Sequence, residues 1–572
     1  MTTLLLPDIL SLPSLLPSSK MLNYSVDDIN RTQNVAPITL SFGRVNGDRP
    51  VTSQTLLFRL PVELVQEVVA YLDTADLKSL APVDRDCRQL ARSCLFASVV
   101  LDYSSEKWQL LNELSREARA RQSNGGVSKC PSIGVCIRRL TVQTNPRAMA
   151  SRHEIGQLSS RSLAPEKGDE VIESYYETYL LAIAQVLRFA LPNLDELEWE
   201  DRIAIPQHMF TAISSSPIRH LGLRSGVLGS DCEYPALLLE PRQRWALRSL
   251  NIRLPPGRDL GPGGWSRVER FCRSFFEEVA PTLERMSCYG RVFPEDCVIR
   301  FPRLRTLRLD AWMMTQESAL ASFFPADAGS CALRSVAIND MESNGMWIWK
   351  FLARRGHIQG LEVLSLRSLH PEYIIPMAAF FSANPQLKFL LISSFNSKFL
   401  NTTIFPFLAS NLKFLTSLAI TLWTFVIPSS TLAAIGRISS LTSLWITVGH
   451  CYRARKWIVD NPPSIEALSP LRNLTRLALS EGYSIKITPG SLESELGLAN
   501  YRAAAGPEIQ QNWEDWHIAW VRKVAEEYVA TVRSLRWIYI SRLVYTVVGD
   551  AVVLEDGGLR VHFPEETWGN SF

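Results

Sequence analysis

The chain has 572 residues, which is too long for one compact hydrophobic core and predicts several domains or one repeat array. Its hydrophobic content of 46% and charged content of 20% are those of an ordinary folded protein and argue against a fibrous or disordered one. A net charge of +3 without a basic stripe argues against nucleic acid as a partner, and no run of about 18 apolar residues is present to span a membrane.

The ten cysteines are scattered between Cys87 and Cys451 and form no CxxC pair. No histidine stands at metal-ligand spacing from them, so the pattern argues against a zinc site and against the disulfide framework of a secreted protein. We therefore expect a reducing compartment, the cytoplasm and/or the nucleus.

Residues 1–54 carry weak periodicity and many polar residues, which indicates a disordered leader. Residues 55–101 then hold three short helical patterns. The first follows Leu60-Pro61, where proline suits the opening turn of a helix, and its apolar residues recur at three- and four-residue steps from Leu64 onward. A unit this small cannot cover its own apolar stripe, so the stripe must face something else.

This unit resembles an F-box. The matching residues are Leu60-Pro61-Val62-Glu63-Leu64, Tyr71-Leu72, Asp76-Leu77 and Val83-Asp84-Arg85-Asp86-Cys87-Arg88, followed by a tail that is similar to that of fungal F-box proteins (Leu90-Ala91, Leu95-Phe96 and Val99-Val100-Leu101). In that family the motif is a three-helix module that docks onto the Skp adaptor of a cullin–RING ubiquitin ligase. The resemblance implies an adaptor-binding stripe formed by Leu60, Pro61, Leu64, Val68, Leu72, Leu77, Leu80 and Val83, and some of these residues must instead hold the three helices together.

Residues 102–136 predict a helical linker, after which one apolar pattern keeps returning. In each copy an apolar residue is followed by two others, a second apolar residue, one other and a third apolar residue. The copies are Ile137-Leu140-Val142, Leu194-Leu197-Trp199, Ile218-Leu221-Leu223, Leu247-Leu250-Ile252, Leu283-Met286-Cys288, Leu304-Leu307-Leu309, Leu333-Val336-Ile338, Leu361-Leu364-Leu366, Leu387-Leu390-Ile392, Leu415-Leu418-Ile420, Leu441-Leu444-Ile446, Leu474-Leu477-Leu479 and Leu535-Ile538-Ile540. The step in the middle of the series is about 26 to 29 residues, close to the period of leucine-rich repeats.

Each copy ends with the alternation of a short strand, and helical patterns lie between the copies. The chain therefore resembles leucine-rich-repeat proteins over residues 137–545, with insertions at 144–170, 255–264 and 482–512. Residues 546–572 are expected to form a C-terminal cap, because an end repeat must protect its open strand edge. The predicted cap strands are Leu543–Val548, Ala551–Leu554 and, after a turn at Asp556-Gly557-Gly558, Leu559–Phe563. The predicted fold class is α/β, a small all-helical F-box followed by an irregular leucine-rich-repeat solenoid of short parallel strands and helices.

The side chains between the apolar ones of each strand point to the other face of the sheet, which in a leucine-rich solenoid is the concave face. Their character changes along the chain from acidic (Glu196, Glu198 and Glu200) through basic to apolar. Arginine and aromatic side chains on such a face are typical of hot spots for a protein partner, and arginines can also bind a phosphate. The candidate target-binding residues are Arg224, Arg253, Arg308, Arg367, Phe389 and Trp445.

No catalytic constellation stands out, since the sequence has no GxGxxG, GxxxxGK[ST], HExxH or GxSxG motif. We expect no catalytic residue, no cofactor and no metal. By resemblance, the chain would be the substrate-recognition subunit of an SCF-type (Skp–cullin–F-box) E3 ubiquitin ligase. Its partners would be a Skp-type adaptor, a cullin and an unknown protein substrate. The alternative is a non-catalytic leucine-rich-repeat scaffold that acts outside a ligase, and an enzyme with a site drawn from distant repeats is a third hypothesis.

Overall fold

The computed structural model describes most of the chain between residues 42 and 554. The described residues are 42–46, 51–61, 64–65, 68–69, 71–102, 105–123, 132–143, 165–200, 205–224, 245–253, 264–289, 299–310, 317–324, 332–339, 345–367, 371–394, 397–422, 429–448, 457–458, 462–480, 482–483, 507–540, 543–548 and 551–554. They form two compact units, one within residues 35–332 and the other from Leu333 onward.

The first unit opens with short helices and continues with parallel strands. The helices are α1 (Phe42–Val45), a 3-10 turn (Leu56–Arg59), helical residues at 64–65 and 68–69, α2 (Thr74–Leu80) and α3 (Arg85–Leu95). The seven described strands are β1 (Ser98–Leu101), β2 (Arg139–Val142), β3 (Glu196–Trp199), β4 (His220–Arg224), β5 (Ser249–Arg253), β6 (Arg285–Tyr289) and β7 (Thr306–Asp310). The later helices are α4 (Ser105–Ser123), α5 (Pro165–Phe189), α6 (Gln207–Ser215), α7 (Gly264–Val279) and α8 (Glu317–Phe323).

The second unit repeats this alternation. Its described strands are β8 (Ser335–Asn339), β9 (Val363–Arg367), β10 (Phe389–Ser394), β11 (Ser417–Leu422), β12 (Ser443–Val448), β13 (Trp457–Ile458), β14 (Arg476–Ser480), β15 (Gly482–Tyr483), β16 (Trp537–Ile540), β17 (Leu543–Val548) and β18 (Ala551–Leu554). Its helices are α9 (Gly345–Arg355), α10 (Ile374–Ala383), α11 (Phe405–Asn411), α12 (Ser429–Gly436), α13 (Pro462–Glu466) and α14 (Pro507–Thr531). A helical turn and a π-helical segment (Ser397–Phe399 and Leu400–Ile404) lead into α11.

Within each unit, every strand of the main sheet pairs in parallel with the next, except for an antiparallel hairpin at the end of the second unit (β16, β17 and β18). Connections between adjacent parallel strands are right-handed in about 98% of cases, so they place the intervening helices on one side of the sheet. We call this side the helix face and the other side the opposite face.

The repeated apolar pattern explains this register. Leu364, Leu390, Leu418 and Leu444 are register partners across β9 to β12, and Leu197, Leu221 and Leu250 are register partners across β3 to β5. All seven side chains are buried. A single strand and its helix cannot enclose these side chains, whereas stacked neighbours can. The predicted α/β alternation of parallel strands and helices is thus confirmed.

Some predicted boundaries were wrong. The leader predicted at 1–54 contains α1 and the described residues 51–54, and its remaining residues lie outside the described part. Strand β1 lies inside the range 55–101 that was assigned to helices alone, so the first strand precedes the predicted array start. The range 102–136 contains α4, which packs against α5.

The predicted insertions are shorter than the sequence suggested. Residues 165–170 and 507–512 belong to α5 and α14, residue 264 opens α7, and residues 482–483 form β15, while the other insertion residues lie outside the described part. Helices α5 and α14 both begin at a proline. Proline is tolerated in the first turn of a helix, but in a sequence it is usually taken to indicate a loop, so both helix starts were assigned to insertions. The hairpin strands β17 and β18 match the predicted cap strands, and the cap residues beyond 554 are not described.

A buried asparagine joins two consecutive repeats of the second unit by hydrogen bonds. The Asn384 side chain is fully buried, and its amide donates to the carbonyls of Gly356 at 3.0 Å and Phe380 at 2.8 Å. Its oxygen accepts from the backbone N–H of Ile358 at 2.9 Å. The side chain therefore satisfies backbone groups of two consecutive repeats that would otherwise be buried without partners.

We expect Asn384→Ala to lower the free energy of unfolding of the second unit by about 2–4 kcal/mol, because it strands several buried polar groups. Urea unfolding followed by circular dichroism measures this. Asn411→Ala is the matched control, since the Asn411 amide also donates to a helix carbonyl (Phe407, 2.9 Å) but is exposed, and it should cost less than about 0.5 kcal/mol. Equal costs for the two variants would contradict the role given to Asn384.

Candidate functional site

The residues from 55 to 95, which we call the helical module, enclose a small hydrophobic core. Val65, Val69, Leu77 and Leu90 are its buried members. The partly buried residues packed against them are Leu57, Phe58, Leu72, Leu80, Cys94 and Leu95. The module therefore closes its own core with side chains from the 3-10 turn, the 64–69 segment, α2 and α3.

Aspartates start the two helices of the module. The Asp73 carboxylate accepts a hydrogen bond from the Asp76 N–H at 2.8 Å, and that of Asp84 accepts from the Cys87 N–H at 2.7 Å. Each satisfies a first-turn N–H that has no partner inside the helix, and its charge faces the positive end of the helix dipole. These caps fix where α2 and α3 begin and hence which side chains face the core.

The eight residues predicted to bind an adaptor divide into two groups. Leu60, Pro61, Leu64, Val68 and Val83 are exposed, with 42%, 45% and 43% of Leu60, Leu64 and Val68 accessible. By contrast, Leu77 is buried, and Leu72 and Leu80 are partly buried against the core. These last three residues therefore hold the helices of the module together, as the sequence predicts for some members of the stripe, and adaptor binding by the exposed five stays a prediction.

The physical reason lies in helical spacing. Leu64 and Val68 are four residues apart, as are Val65 and Val69, so each pair forms its own stripe about 100° from the other. The sequence pattern merges the two stripes because all four residues are apolar. Only packing shows that Val65 and Val69 point inward while Leu64 and Val68 face solvent.

Two exposed apolar residues were missed by the sequence reasoning. Tyr71 is 90% exposed and Leu56 is 73% exposed. Tyr71 follows Val68 by three residues and extends the exposed stripe, a spacing that could have identified it. With Leu60, Leu64 and Val68 they make up what we call the apolar patch of the module.

The helical module is bonded to the first strands of the sheet. Helix α3 ends two residues before β1, and its Gln89 side chain donates to the carbonyls of Val45 at 2.9 Å and Ser132 at 3.1 Å. Arg138, just before β2, donates to the Ser93 carbonyl of α3 at 2.8 Å. Gln89 and Arg138 are buried, so these bonds lie in a low-dielectric region where breaking them is costly. The last helix of the module is therefore bonded to α1 and to the chain that leads into β2.

On the opposite face of the first unit, charged side chains pair across strands. Arg139 in β2 bonds Glu196 in β3 at 2.7 Å, and His220 in β4 lies 3.5 Å from the Asp195 carboxylate. Burial lowers the pKa of His220 below its ordinary value, even though Asp195 acts in the opposite direction. The imidazole is therefore neutral at pH 7, and the 3.5 Å between its Nε2 and the Asp195 carboxylate is longer than an ordinary N–H···O hydrogen bond.

Of the four candidate arginines, only Arg308 has a side chain within the described part of the chain. Arg308 is only 5% exposed, so its assignment as a target contact was wrong in this conformation. Arg224 and Arg253 are register partners in β4 and β5, and Arg367 ends β9, but their side chains lie outside the described part. Their predicted role stays a prediction.

On the opposite face of the second unit, large and small side chains alternate along one register row. The row runs through Ser365, Leu391, Ala419, Trp445, Ala478 and Tyr539. The rings of Trp445 and Tyr539 stack at a centroid distance of 5.6 Å. They come from strands two places apart and can meet because Ala478 between them has almost no side chain. Trp537 and the partly buried Phe389 join the same layer.

This packing corrects the prediction for Trp445. The indole was expected on the surface, but it is only 2% exposed. Phe389 is partly buried against the same cluster. Sequence alternation identified the face to which both belong, but it could not show that neighbours of complementary size would fill that face.

Neither catalytic nor metal chemistry is indicated by the residues that the structure describes. No group of three His, Cys, Asp or Glu side chains among them could hold a metal ion. Burial raises the pKa of the Cys87 thiol to about 11 and that of Cys136 to about 12, so neither is a nucleophile at pH 7. Among the described helices, none is long and apolar enough to cross a membrane.

The division of the predicted stripe can be tested by stability alone. We expect Leu77→Ala to cost about 2–5 kcal/mol because it leaves a cavity in the core of the module, and Leu64→Ala to cost less than about 0.5 kcal/mol. Hydrogen exchange of the α3 amides reports both values. Similar exchange in the two variants would show that the assignment of inward and outward stripes is wrong.

The aromatic layer can be tested in the same way. We expect Trp445→Ala to destabilise the second unit by about 3–5 kcal/mol, the usual cost of truncating a buried aromatic side chain. Phe414→Ala is the control, since Phe414 is 65% exposed in the same unit and should change stability by less than about 0.5 kcal/mol. If thermal unfolding of the Trp445 variant matched the parent protein, Trp445 would be a surface residue after all.

The chain matches no model of a known protein family, and no curated protein matches it. What its surfaces do must therefore follow from their own residues. Those residues are an apolar patch on the helical module, a charged opposite face in the first unit and an aromatic layer in the second.

Proposed function

We propose that this protein is the substrate-recognition subunit of an SCF-type (Skp–cullin–F-box) E3 ubiquitin ligase. Its helical module, which resembles an F-box, would dock a Skp-type adaptor and through it a cullin. Its strand–helix array, which resembles leucine-rich repeats, would bind a protein target. The subunit would not be catalytic, because its task is to raise the local concentration of the target beside a ubiquitin-loaded enzyme.

The observation that carries the proposal is the apolar patch. A module that already has a closed core still exposes Leu60, Leu64, Val68 and Tyr71, which are spaced by three or four residues along the chain. Each square ångström of apolar surface removed from water contributes about 25 cal/mol, so docking on a partner stabilises such a patch. A cluster of exposed apolar side chains on a small module is typical of a protein–protein interface.

The attachment of the module to the sheet supports the same proposal. Gln89 and Arg138 bond the last helix of the module to the segments that flank the first strands. An adaptor bound at the patch would therefore be held at a defined position relative to the opposite face of the first unit. Transfer to a bound target depends on such positioning more than on affinity.

Target contacts are best supported on the opposite face of the first unit. Arg285 is exposed there, and Arg139 and Glu196 form a partly exposed ion pair at 2.7 Å. Trp445, in contrast, stacks on Tyr539 and leaves almost no surface for a target to contact. A reducing cytoplasmic or nuclear location fits the described cysteines Cys87, Cys94, Cys136 and Cys272, which form no disulfide.

Binding of a purified fungal Skp-type adaptor tests the proposal. We expect the double variant Leu60→Ala/Leu64→Ala to bind at least about 100-fold more weakly, since truncating a central interface residue typically costs more than 1 kcal/mol and up to several. Isothermal titration calorimetry measures the dissociation constant. Copurification of a cullin with the parent chain, and its loss with the variant, tests assembly in cells.

The control removes exposed apolar surface elsewhere. Ile375 is 80% exposed and Phe414 is 65% exposed, both in the second unit, so Ile375→Ala/Phe414→Ala should leave adaptor binding unchanged. If the parent chain binds neither adaptor nor cullin, the ligase proposal fails and the scaffold alternative takes its place. If both double variants bind equally well, the patch is not the adaptor site.

A further inference from the structure

A short segment on the surface of the first unit is held down by hydroxyl and amide contacts to two carboxylates. The segment, residues 51–60, which we call the strap, precedes the rest of the helical module. The Thr52 and Ser53 N–H groups donate to one oxygen of Asp86 at 2.6 and 2.7 Å, and the Thr52 hydroxyl donates to the same oxygen at 3.1 Å. The Ser53 hydroxyl donates to the Asp84 carboxylate. Four bonds thus converge on the first turn of α3.

The far end of the strap belongs to the core and to the apolar patch. Leu57 and Phe58 pack against the buried core of the module, and Leu60 is part of the patch. The 3-10 turn between them is held by weak backbone bonds of 3.2 Å from Phe58 to Thr55 and from Leu60 to Leu57. Detaching the strap would therefore loosen one wall of the core and displace part of the patch.

The Asp84 carboxylate is ionised under ordinary conditions. Burial raises its pKa, but hydrogen bonds from the Cys87 N–H and the Ser53 hydroxyl outweigh burial and leave the pKa below its ordinary value. Its other task is to cap α3, and Asp86 is buried beside it. The helix end is thus already supplied with negative charge, and a further anion there would face two carboxylates.

We propose that Ser53 is a phosphorylation site and that a phosphoryl group on it releases the strap. A protein kinase acting in trans would transfer the γ-phosphoryl group of ATP. A bond forms between phosphorus and the Ser53 oxygen, the bond to the β–γ bridging oxygen breaks, ADP leaves, and the hydroxyl proton goes to solvent. Residues 51–54 have neither helix nor strand, and Thr52 and Gln54 on either side of Ser53 are exposed, as a kinase substrate segment must be.

The phosphoryl group acts in two ways. It removes the hydroxyl proton that binds Asp84, and it adds about −1.5 to −2 charges beside Asp84 and Asp86. Arg85, exposed between the two aspartates, is one cation against two carboxylates. The phosphoryl group therefore repels the Asp84 and Asp86 carboxylates, and this repulsion acts against the hydrogen bonds that Thr52 and Ser53 donate to Asp86. The consequence for adaptor binding rests on the proposed function, whereas release of the strap does not.

The test compares the full-length protein with phosphoserine incorporated at position 53 and the unmodified protein. We expect amide hydrogen exchange at Phe58 and Leu60 to accelerate at least about tenfold, trypsin to cleave after Arg59, and the affinity for the adaptor to fall at least about tenfold. The control carries phosphoserine at position 123, an exposed residue at the end of α4 whose hydroxyl bonds the Arg119 carbonyl, and should match the unmodified protein.

A second variant separates charge repulsion from general damage. Asn caps a helix as well as Asp does, so Asp84→Asn combined with phosphoserine 53 should recover part of the lost protection. Unchanged exchange in the phosphoserine 53 protein would overturn the proposal. So would a Ser53 peptide that mass spectrometry finds unmodified after incubation of the protein with ATP and cell extract. If the strap opens but the unmodified protein binds no adaptor, the ligase proposal fails and the modification site stands.

Discussion

Burial of leucines between each strand and its helix is the constraint on which the rest of the structure depends. One strand–helix pair cannot enclose its own apolar side chains, so each repeat needs a neighbour in register. The rows through Leu364 and Leu197 show this register in the two units. Once the apolar side chains point to the helix face, the alternation of a strand forces the intervening ones onto the opposite face. Register partners on neighbouring strands therefore lie side by side on that face, and together they determine whether it is charged or apolar.

The two units fill these rows differently. In the first, Arg139 and Glu196 pair at adjacent positions, which satisfies charges without enclosing apolar surface. In the second, Trp445 meets Tyr539 over Ala478, which removes aromatic surface from water on the opposite face. A partly exposed ion pair can give up its partner to bind a target. The Trp445 indole, at 2% exposure, can contact a target only if the residues around it repack. This difference is why the proposed target surface lies in the first unit.

The same few helices of the helical module both enclose a hydrophobic core and expose the apolar patch. The module does so by using two stripes of one helical segment, with Val65 and Val69 inward and Leu64 and Val68 outward. Asp84 and Asp86 connect this arrangement to the strap, and Arg138, just before β2, connects it to the start of the sheet. The first turn of α3 is therefore linked by hydrogen bonds to the same short segment that contains Leu60 of the apolar patch.

The sequence by itself determined the α/β alternation, the thirteen apolar copies, the closing hairpin and the absence of the familiar catalytic motifs, because periodicity and spacing are local properties. It did not determine which of two adjacent apolar stripes faces inward, so it could not tell that Leu72, Leu77 and Leu80 are the members of the predicted stripe that pack in or against the core. It also could not show that Trp445 and Arg308 are buried, or that Tyr71 and Leu56 are exposed. These outcomes depend on the size of neighbours brought together from strands far apart in the chain. Alternation assigns a side chain to a face, and only tertiary packing decides whether that face is covered.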